Sequence, residues 1–277
     1  MIKIMVDSAS DCRNDKIYDY FVPITVTIDG KEYKDGVDLD NDTFYQLLTS
    51  MKEIPHTSQP SPDDFLQQFQ KIKADGDELI YFALSSALSG TYQSANIAKT
   101  MVEYEGIYIV DSKNASHMIE SLAKYAKKLI AEGLSAKEIV EKCEELKCRI
   151  RLFAGVDTLE YLQKGGRIGK ATALIGSLAN IKPLITVSVD GEVDAVGKAL
   201  GFARAVQMIV DKVKKYNIDE EFPICSLYTY GEENCIKLEQ KLKSEGYCVS
   251  ERMQVGSTIG THVGPGVYGV FFVEKQQ

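Results

Sequence analysis

Short β-rich runs alternate with longer amphipathic stretches of helical period through the first half of the chain. The β-rich runs cover residues 2–6, 22–28, 79–84 and 107–110. Strands that alternate with helices in this way are typical of a parallel sheet whose strands are joined by helical crossovers. The alternation therefore predicts an α/β fold that begins with an N-terminal parallel-sheet domain.

Two helix starts in this half carry strong capping signals. Ser61 can accept a hydrogen bond from a free backbone N–H of the first turn, and the proline after it suits the first helical position. Ser135 is followed three residues later by Glu138, which is the spacing of a capping box. We therefore predict helices over residues 62–74 and 135–147.

The pattern changes after residue 150. β-branched runs flank Asp190 and Gly191, and an Asp-Gly pair in that setting is a strong signal for a β-hairpin. We also predict three strands and a helix here, at residues 152–156, 224–228 and 267–273 for the strands and residues 232–244 for the helix. This half is therefore predicted to be α+β, with a mixed or antiparallel sheet.

We place the domain boundary near residue 150. The N-terminal α/β domain then covers residues 1–150, and the C-terminal α+β domain covers residues 151–277. No Pro/Ser-rich linker separates the two halves, so we expect them to pack firmly together. Clefts between domains are preferred sites for small ligands, so we expect a ligand to lie between them.

The charge balance argues against a nucleic-acid partner. The chain has 32 Lys and Arg against 40 Asp and Glu, which gives a formal net charge of −8. Affinity for a phosphate backbone depends on clustered Lys and Arg, and this chain has an acidic balance instead. We therefore expect no nucleic-acid binding.

Membrane, disulfide and metal signals are weak. No apolar run approaches the roughly 18 residues of a membrane span, and the chain begins with a strand-like segment instead of a signal peptide. We therefore expect a cytoplasmic protein without a transmembrane segment. The six cysteines include no Cys-x-x-Cys pair, and no two of the three histidines are at helix-face spacing. Neither disulfides nor a metal site are expected.

Small hydroxyl residues cluster next to the predicted strands. Such clusters lie at residues 7–11, 57–61, 85–91 and 111–112. The carboxyl ends of parallel strands meet at one crevice, where the following helices present free N–H groups. Uncharged donors of this kind suit a carboxylate or a single phosphate better than a polyphosphate. The clusters therefore predict an anion site at this crevice.

Each of these hydroxyl residues has a structural interpretation as well. Ser and Thr also cap helices and form turns, and we favour that role for Ser10, Ser61 and Ser112. Thr57 and Ser89 lie ahead of a capped helix and beside a glycine, respectively. For these two residues both interpretations stay open.

His262 and Arg167 lie in glycine-rich segments. His262 belongs to residues 260–266, which we predict to be a loop ahead of the last strand. It can donate to a carboxylate, act as a base, or be a hydrogen-bonded structural histidine. Arg167 follows Gly165 and Gly166, where it can bind an anion or cap the last carbonyls of the preceding helix.

Three familiar enzyme motifs are incomplete. Residues 264–269 fit G-x-G-x-x-G but precede a strand instead of a helix, and residues 165–171 resemble a Walker loop with shortened glycine spacing. The G-x-S-x-G elbow of α/β-hydrolases does not occur. The alternative function is a serine-dependent esterase or thioesterase using Ser89 and His262, which the missing elbow disfavours. A phosphoryl-transfer enzyme is disfavoured as well, since no phosphate loop or paired-carboxylate metal motif is evident beyond Asp7 and Asp11.

Seven segments, taken in their order and spacing, resemble the DegV family. These are bacterial fatty-acid-binding proteins that serve as the lipid-carrying subunit of fatty acid kinase. No single motif decides the resemblance, which spans nearly the whole chain. The segments are residues 6–11, 57–61, 84–92, 111–113, 161–168, 181–183 and 260–266.

The resemblance implies that one long-chain fatty acid, such as palmitate, lies in a buried tunnel between an N-terminal α/β and a C-terminal α+β domain. It implies no cofactor and no catalysis by this chain. It assigns the carboxylate contacts to Thr57 and Ser89 and places His262 beside the carboxyl head. Together with Arg167, these are the candidate fatty-acid-binding residues.

The resemblance also implies a partner, a separate ATP-dependent fatty acid kinase that phosphorylates the bound carboxylate. In the family, an arginine often follows the lysine equivalent to Lys198 by two positions, and it is tied to docking of the kinase. This chain has Leu200 there. The departure puts the kinase contact in doubt and leaves the expectation of lipid binding unchanged.

The hydrocarbon tail is expected to supply most of the binding energy. Burial of a methylene is worth about 0.8 kcal/mol, so a dozen supply roughly 10 kcal/mol before ordering costs. The hydroxyl groups then need only fix the orientation of the acid. Candidates for the tail-lining residues are Phe82, Ile175, Leu178 and Ile181, each of which can equally be simple core.

Overall fold

The computed structural model describes residues 1–51, 53–174 and 180–276. The described residues form three β-sheets, and helices pack against the faces of the two large ones. The strands are β1 (Ile2–Asp7), β2 (Tyr20–Val22), β3 (Thr25–Ile28), β4 (Lys31–Lys34), β5 (His56–Ser58), β6 (Glu78–Ala83), β7 (Ile107–Asp111), β8 (Ile150–Gly155), β9 (Ile181–Val187), β10 (Val193–Leu200), β11 (Ile224–Tyr228), β12 (Val249–Gln254) and β13 (Tyr268–Val273).

The α-helices of the described residues include the predicted ones, at nearly the predicted bounds. They are α1 (Asn41–Ser50), α2 (Pro62–Asp75), α3 (Thr91–Val102), α4 (His117–Ala131), α5 (Ala136–Lys147), α6 (Glu160–Lys164), α7 (Phe202–Val213), α8 (Glu233–Ser244) and α9 (Ser257–Val263). Two 3₁₀ turns, Ser8–Ser10 and Gly169–Leu174, accompany them. The helix starts at Ser61 and Ser135 both have complete capping boxes, as predicted. Nowhere in the described parts of the chain is a helix long and apolar enough to cross a membrane.

The first sheet is parallel, with strand order β2-β1-β6-β7. One face of β1 and β6 directs Met5 and Tyr81 toward α2 and α3, and the other face directs Ile4, Val6 and Phe82 toward α4 and α5. Both faces are therefore covered by helices, as is usual for parallel sheets. The predicted N-terminal parallel-sheet α/β domain is confirmed.

The predicted single strand over residues 22–28 was wrong. Val22 ends β2 in the parallel sheet, and Thr25 begins β3 in a separate antiparallel sheet of order β4-β3-β5. Pro23 has no N–H to donate to a ladder, so the strand breaks there and the chain changes sheets. In the small sheet, Thr57 on β5 is the partner of Val26 on β3.

The second large sheet is mixed, with strand order β10-β9-β8-β13-β11-β12. Only the β11–β12 pair is parallel among the described pairings of this sheet. The Asp190-Gly191 turn joins β9 to β10, as predicted, and Gly191 has a positive φ of 84°. Helices α7 and α8 cover one face of the sheet. The predicted α+β half with a mixed sheet is confirmed.

Helix α4 lies between the two large sheets. Its residues Met118 and Leu122 belong to the same buried cluster as Val6 of the first sheet and Leu152 and Leu227 of the second. One helix therefore contributes to the core of both halves, which fixes them against each other. The division into residues 1–150 and 151–277 stays a prediction.

A buried polar cluster anchors α9 to the N-terminal half. Asp35 accepts hydrogen bonds from the Thr258 backbone N (3.1 Å) and hydroxyl (2.5 Å), and it forms an ion pair with Arg13 at 2.7 Å. The hydroxyl oxygens of Ser8 and Thr258 are 3.1 Å apart. These contacts fix the position of α9, the helix that carries His262.

We expect Thr258→Val to lower the free energy of unfolding by about 1–3 kcal/mol, because buried Asp35 loses a hydroxyl donor. Urea denaturation of the purified variant measures the change. Thr49→Val is the matched control, since Thr49 is exposed and its hydroxyl donates only within α1. Equal stability of both variants would mean that Asp35 does not anchor α9.

Candidate functional site

A largely apolar cavity lies between α4, α9 and one face of the second large sheet. Its volume is about 90 Å³, below the ~300–1,000 Å³ that is typical of ligand pockets, so a long ligand would have to push its walls apart. Most of its wall is aliphatic. The apolar lining residues include Ile24, Leu84, Leu88, Met118, Leu152, Leu162, Ile185, Val187, Leu227, Val255 and Ile259.

All four candidate site residues line this one cavity. Thr57 comes from β5, Ser89 from the loop before α3, Arg167 from the segment after α6, and His262 from α9. Thr57 and His262 are separated by 205 residues, and the fold brings them into contact. The roles of the four residues in binding stay predictions.

The polar end of the cavity lies next to the protein surface. Arg167 and His262 line an outer hollow as well as the cavity, and His56, Tyr161 and Lys164 form part of that hollow. A ligand with a polar head at Arg167 and His262 would therefore have its head near solvent and its apolar part inside.

His262 lies in a helix, so the predicted loop at residues 260–266 was wrong in its first half. Gly260 is inside α9, and a Cβ at that position would lie 2.6 Å from the hydroxyl oxygen of Tyr45. The glycine is there because α9 packs closely against α1, the helix that carries Tyr45. Gly260 therefore reflects helix packing, whereas Gly264 and Gly266, after the helix, have positive φ angles of 75° and 78°.

The imidazole of His262 has one partner and one free nitrogen. Its Nε2 is 2.8 Å from the Thr57 hydroxyl oxygen, whereas its Nδ1 is buried and has no hydrogen-bond partner among the described residues. That nitrogen lies against Gly165, where any Cβ would overlap it. Burial, followed by the positive charge of Arg167, lowers the pKa of His262 to about 4. The ring is therefore neutral at neutral pH.

Ser89 lies at the start of α3. Its hydroxyl oxygen is 2.8 Å from that of Thr91 and accepts a 3.3 Å hydrogen bond from the Thr91 backbone N–H. The positive end of the helix dipole favours an anion at this place. Ser89 thus bonds to the first helical residue, as a structural role requires, and it also lines the cavity, while its role in anion binding stays a prediction.

Arg167 holds two loops together beside the cavity. Its Nε donates to the Leu88 carbonyl oxygen at 3.0 Å, and one terminal nitrogen donates to the Gly165 carbonyl oxygen at 2.6 Å. A guanidinium has five N–H donors, so these two bonds leave others for an anion. The predicted contact with carbonyls at the helix end is therefore present, and an anion contact is compatible with it.

Gln59 is a positioning residue that the sequence reasoning missed. Its amide nitrogen donates to the Ser94 hydroxyl oxygen on α3 at 2.9 Å. This bond ties the segment that follows Thr57 to the helix that follows Ser89. Gln59 belongs to one of the seven quoted segments, but an amide gives no sign in sequence of which distant helix it will contact.

Two of the four predicted tail-lining residues were wrong. Phe82 is part of the core under α4, and Ile181 does not line the cavity. Ile175 and Leu178 lie outside the described residues. The wall instead comes from β8, β9 and β11, because these strands direct alternate aliphatic side chains toward α4.

The paired aspartates after β1 are structural acceptors. Asp7 accepts hydrogen bonds from Tyr81 Oη at 2.7 Å and from Leu84 N at 2.9 Å, and burial raises its pKa to about 6. Asp11 accepts from the Ser116 hydroxyl, and burial likewise raises its pKa to about 6. Across the described parts of the chain, no group of three or more His, Cys, Asp or Glu side chains is arranged to hold a metal ion.

Comparison with known proteins places this fold and cavity in a family. The family model "Uncharacterised protein, DegV family" matches residues 1–275. The chain belongs to the DegV family. A DegV domain-containing protein of Caldanaerobacter subterraneus is 40% identical over 279 residues, which cover 99% of each chain.

Solved structures of DegV proteins have the same fold as this family member. A structure of a Thermus thermophilus DegV family protein, described in terms of its fatty acid binding, is 30% identical and has a TM-score of 0.89 over 99% of each chain. A stearic acid-binding protein from Eubacterium ventriosum is 26% identical, with a TM-score of 0.86 over 99% of each chain.

We expect His262 of the ligand-free DegV protein to titrate with a midpoint near pH 4, whereas an unperturbed histidine titrates near 6.5. Between these two values the native state binds fewer protons at His262 than the unfolded chain does. The free energy of unfolding therefore decreases as the pH falls from about 6.5 to about 4, because the unfolded chain takes up the proton first. NMR of the imidazole resonances measures the midpoint.

His117 is the internal control for that titration. Burial lowers its pKa, but its hydrogen bond to Glu120 and the charge of Asp11 outweigh burial and raise it overall. The two histidines should therefore titrate on opposite sides of the ordinary value. A midpoint for His262 at or above that value would contradict the buried, neutral imidazole.

Proposed function

We propose that this DegV protein binds one long-chain fatty acid, with its tail in the apolar cavity and its carboxylate among Thr57, Ser89, Arg167 and His262. The observation that carries the proposal is the combination of a long aliphatic wall with a polar end next to the surface. Fatty acids have the same division into an apolar chain and one anionic group. The tail would then lie between the N- and C-terminal domains.

The side chains at the polar end suit a carboxylate. Thr57 and Ser89 offer hydroxyl donors, and Arg167 supplies a positive charge that burial strengthens. A carboxylate beside His262 would favour the protonated ring and so raise its pKa from about 4. Binding of the acid is therefore expected to be accompanied by proton uptake at low pH.

The relatives support the same class of ligand. The Thermus thermophilus structure is described by its fatty acid binding, and the Eubacterium ventriosum protein by its binding of stearic acid. Both cover almost the whole of this chain. Palmitate is our choice of a representative ligand because its chain is close in length to stearic acid.

We further propose that this chain is a carrier and not an enzyme. An esterase would need the Ser89 hydroxyl to donate to the imidazole of His262. Instead, the described contacts pair Ser89 with Thr91 and His262 with Thr57. The Nδ1 atom of His262 also has no carboxylate partner among the described residues to orient the ring. Absence of labelling by a fluorophosphonate probe is the expected result.

Native mass spectrometry of the purified protein tests fatty acid binding directly. We expect one long-chain acid per chain, either co-purified or taken up from added palmitate. A protein that carries no lipid and ignores added palmitate would contradict the proposal.

The double variant Thr57→Ala with Ser89→Ala tests the head-group site. A hydrogen bond to a charged group contributes about 1.5–3 kcal/mol, so palmitate affinity should fall about tenfold or more for each lost hydroxyl. The control is Thr100→Ala with Ser50→Ala, because both hydroxyls are exposed and bond within their own helices. Equal affinity of the two double variants would remove the proposed carboxylate site.

We propose that the bound carboxylate is presented to a separate fatty acid kinase. Its position beside the outer hollow supports this step, because a partner can reach that hollow from solvent. Leu200, at the end of β10, is 68% exposed and stands where an arginine is expected to help dock the kinase.

We expect Leu200→Arg to increase the rate at which a bacterial fatty acid kinase and ATP convert the bound acid to acyl phosphate, because the added guanidinium restores a charged contact. Trapping with hydroxylamine measures the acyl phosphate. Val189→Arg is the matched control, since Val189 is similarly exposed and lies in the turn between β9 and β10. Equal rates for both variants would mean that position 200 does not contact the kinase.

A further inference from the structure

A second cavity lies at the far end of α4, away from the candidate carboxylate site. Its volume is about 180 Å³, and within the described chain it has no lining residue in common with the first cavity. Its floor is apolar and comes from the second large sheet, where Ile150, Met253, Phe271 and Val273 line it. None of the proposed head-group residues lies near it.

The two cavities are neighbours on one face of the same sheet. Leu152 of the first cavity is the strand partner of Phe271 of the second, and Leu227 of the first is the strand partner of Met253 of the second. Side chains of directly opposed residues project on the same face of a sheet and lie about 4.5–5.5 Å apart at Cβ. The partition between the cavities on this side is therefore about one side chain thick.

Helix α4 forms the opposite wall of both cavities. The His117 imidazole lies 2.8 Å from the Gln254 carbonyl oxygen, and the Lys124 ammonium lies 3.8 Å from the Glu251 carboxylate, so α4 runs alongside β12. Met118 lines the first cavity, and Ser121, three residues further on, lines the second. About one helical turn therefore separates the two cavities on this wall.

Methionine side chains lie on both sides of the partition. Met118 belongs to the first cavity and Met253 to the second. Methionine is unbranched and polarizable, so it adopts other rotamers at small cost and adapts to a changed neighbour. A partition of this kind can open when an apolar ligand presses against it.

The charged groups at the rim of the second cavity are already paired. Lys128 forms an ion pair with Glu221 at 2.6 Å, and Lys124 contacts Glu120 at 3.0 Å as well as Glu251. Each lysine is thus neutralised by a carboxylate, which leaves no strong site for an anionic head. The chemistry of the second cavity suits plain hydrocarbon.

We propose that the second cavity receives the terminal segment of acyl chains that are too long for the first cavity, after Met118 and Met253 move aside. This inference rests on the proposed function, because the carboxylate of the same acid stays at Thr57, Ser89, Arg167 and His262. The two cavities together would set the upper limit of chain length. The proposed ligands of this protein therefore include very-long-chain as well as long-chain fatty acids.

A chain-length series tests the inference on the full-length protein. Affinities are measured for acids from myristic to docosanoic in wild type, Cys225→Phe and Ser121→Phe. The two substitutions fill the second cavity from opposite walls, since Cys225 is on the sheet and Ser121 is on α4. Ser244→Phe is the control, because Ser244 is an exposed helix serine that, like Ser121, bonds a carbonyl of its own helix.

The filled variants should bind myristate and palmitate as wild type does and lose affinity for docosanoate. The expected loss is about fourfold for each methylene that is no longer buried. Met253→Ala should instead increase docosanoate affinity relative to palmitate. A crystal structure of the wild-type complex with docosanoate gives a direct measurement, with the last carbons expected between Phe271 and Ser121.

Two results would overturn the inference while the proposed function stands. The first is that the affinity of the filled variants depends on acyl chain length in the same way as the affinity of wild type does. The other is a docosanoate chain that folds back inside the first cavity in the crystal. A wild type that binds none of the acids would instead overturn the proposed function, and this inference with it.

Discussion

The structure depends on an apolar space held open between the layer of α4 and α9 and the second large sheet, where each large sheet is packed by helices on its other face. Empty apolar volume is destabilising, and walls that lack independent support would collapse into it. Here α2 and α3 cover the outer face of the first sheet, and α7 and α8 cover the outer face of the second. Each sheet therefore has a complete core of its own. The shared layer that contains α4 can then leave space for a ligand.

The polar end of the cavity is governed by desolvation. His262 is neutral there because burial and Arg167 both disfavour its charged form. In the proposed complex, an incoming carboxylate would reverse part of that effect, since it would compensate the charge of Arg167 and offer the ring an acceptor. Thr57 already occupies Nε2 of the ring, so the buried Nδ1 is the nitrogen without a described partner. The site is thus arranged by neutral hydrogen bonds, and its charges would balance with the acid bound.

Sequence reasoning predicted the elements better than it predicted their contacts. The Asp190-Gly191 turn and the caps at Ser61 and Ser135 are local signals that the structure confirms. Strand and helix periodicity agrees with the structure except at residues 22–28 and 260–266. Clustering of hydroxyls next to strands also indicated Thr57 and Ser89. The break at Pro23, the helix around His262 and the contact between Gln59 and Ser94 depend on distant packing. Periodicity carries no information about which distant segments meet, so Phe82 and Ile181 were wrongly assigned to the tail wall.

If this chain presents a fatty acid to a kinase, as we propose, it has to keep holding the acid after the reactive group has changed. Phosphorylation of a carboxylate alters the charge and size of the head group and leaves every methylene as it was. If most of the affinity comes from hydrocarbon burial, the acid can stay bound while its head-group contacts are exchanged. The modest polar set at Thr57, Ser89, Arg167 and His262 is consistent with that division, because only Arg167 carries a fixed charge at neutral pH. The long aliphatic wall would therefore retain the acid, and the small number of polar contacts would allow its head group to change.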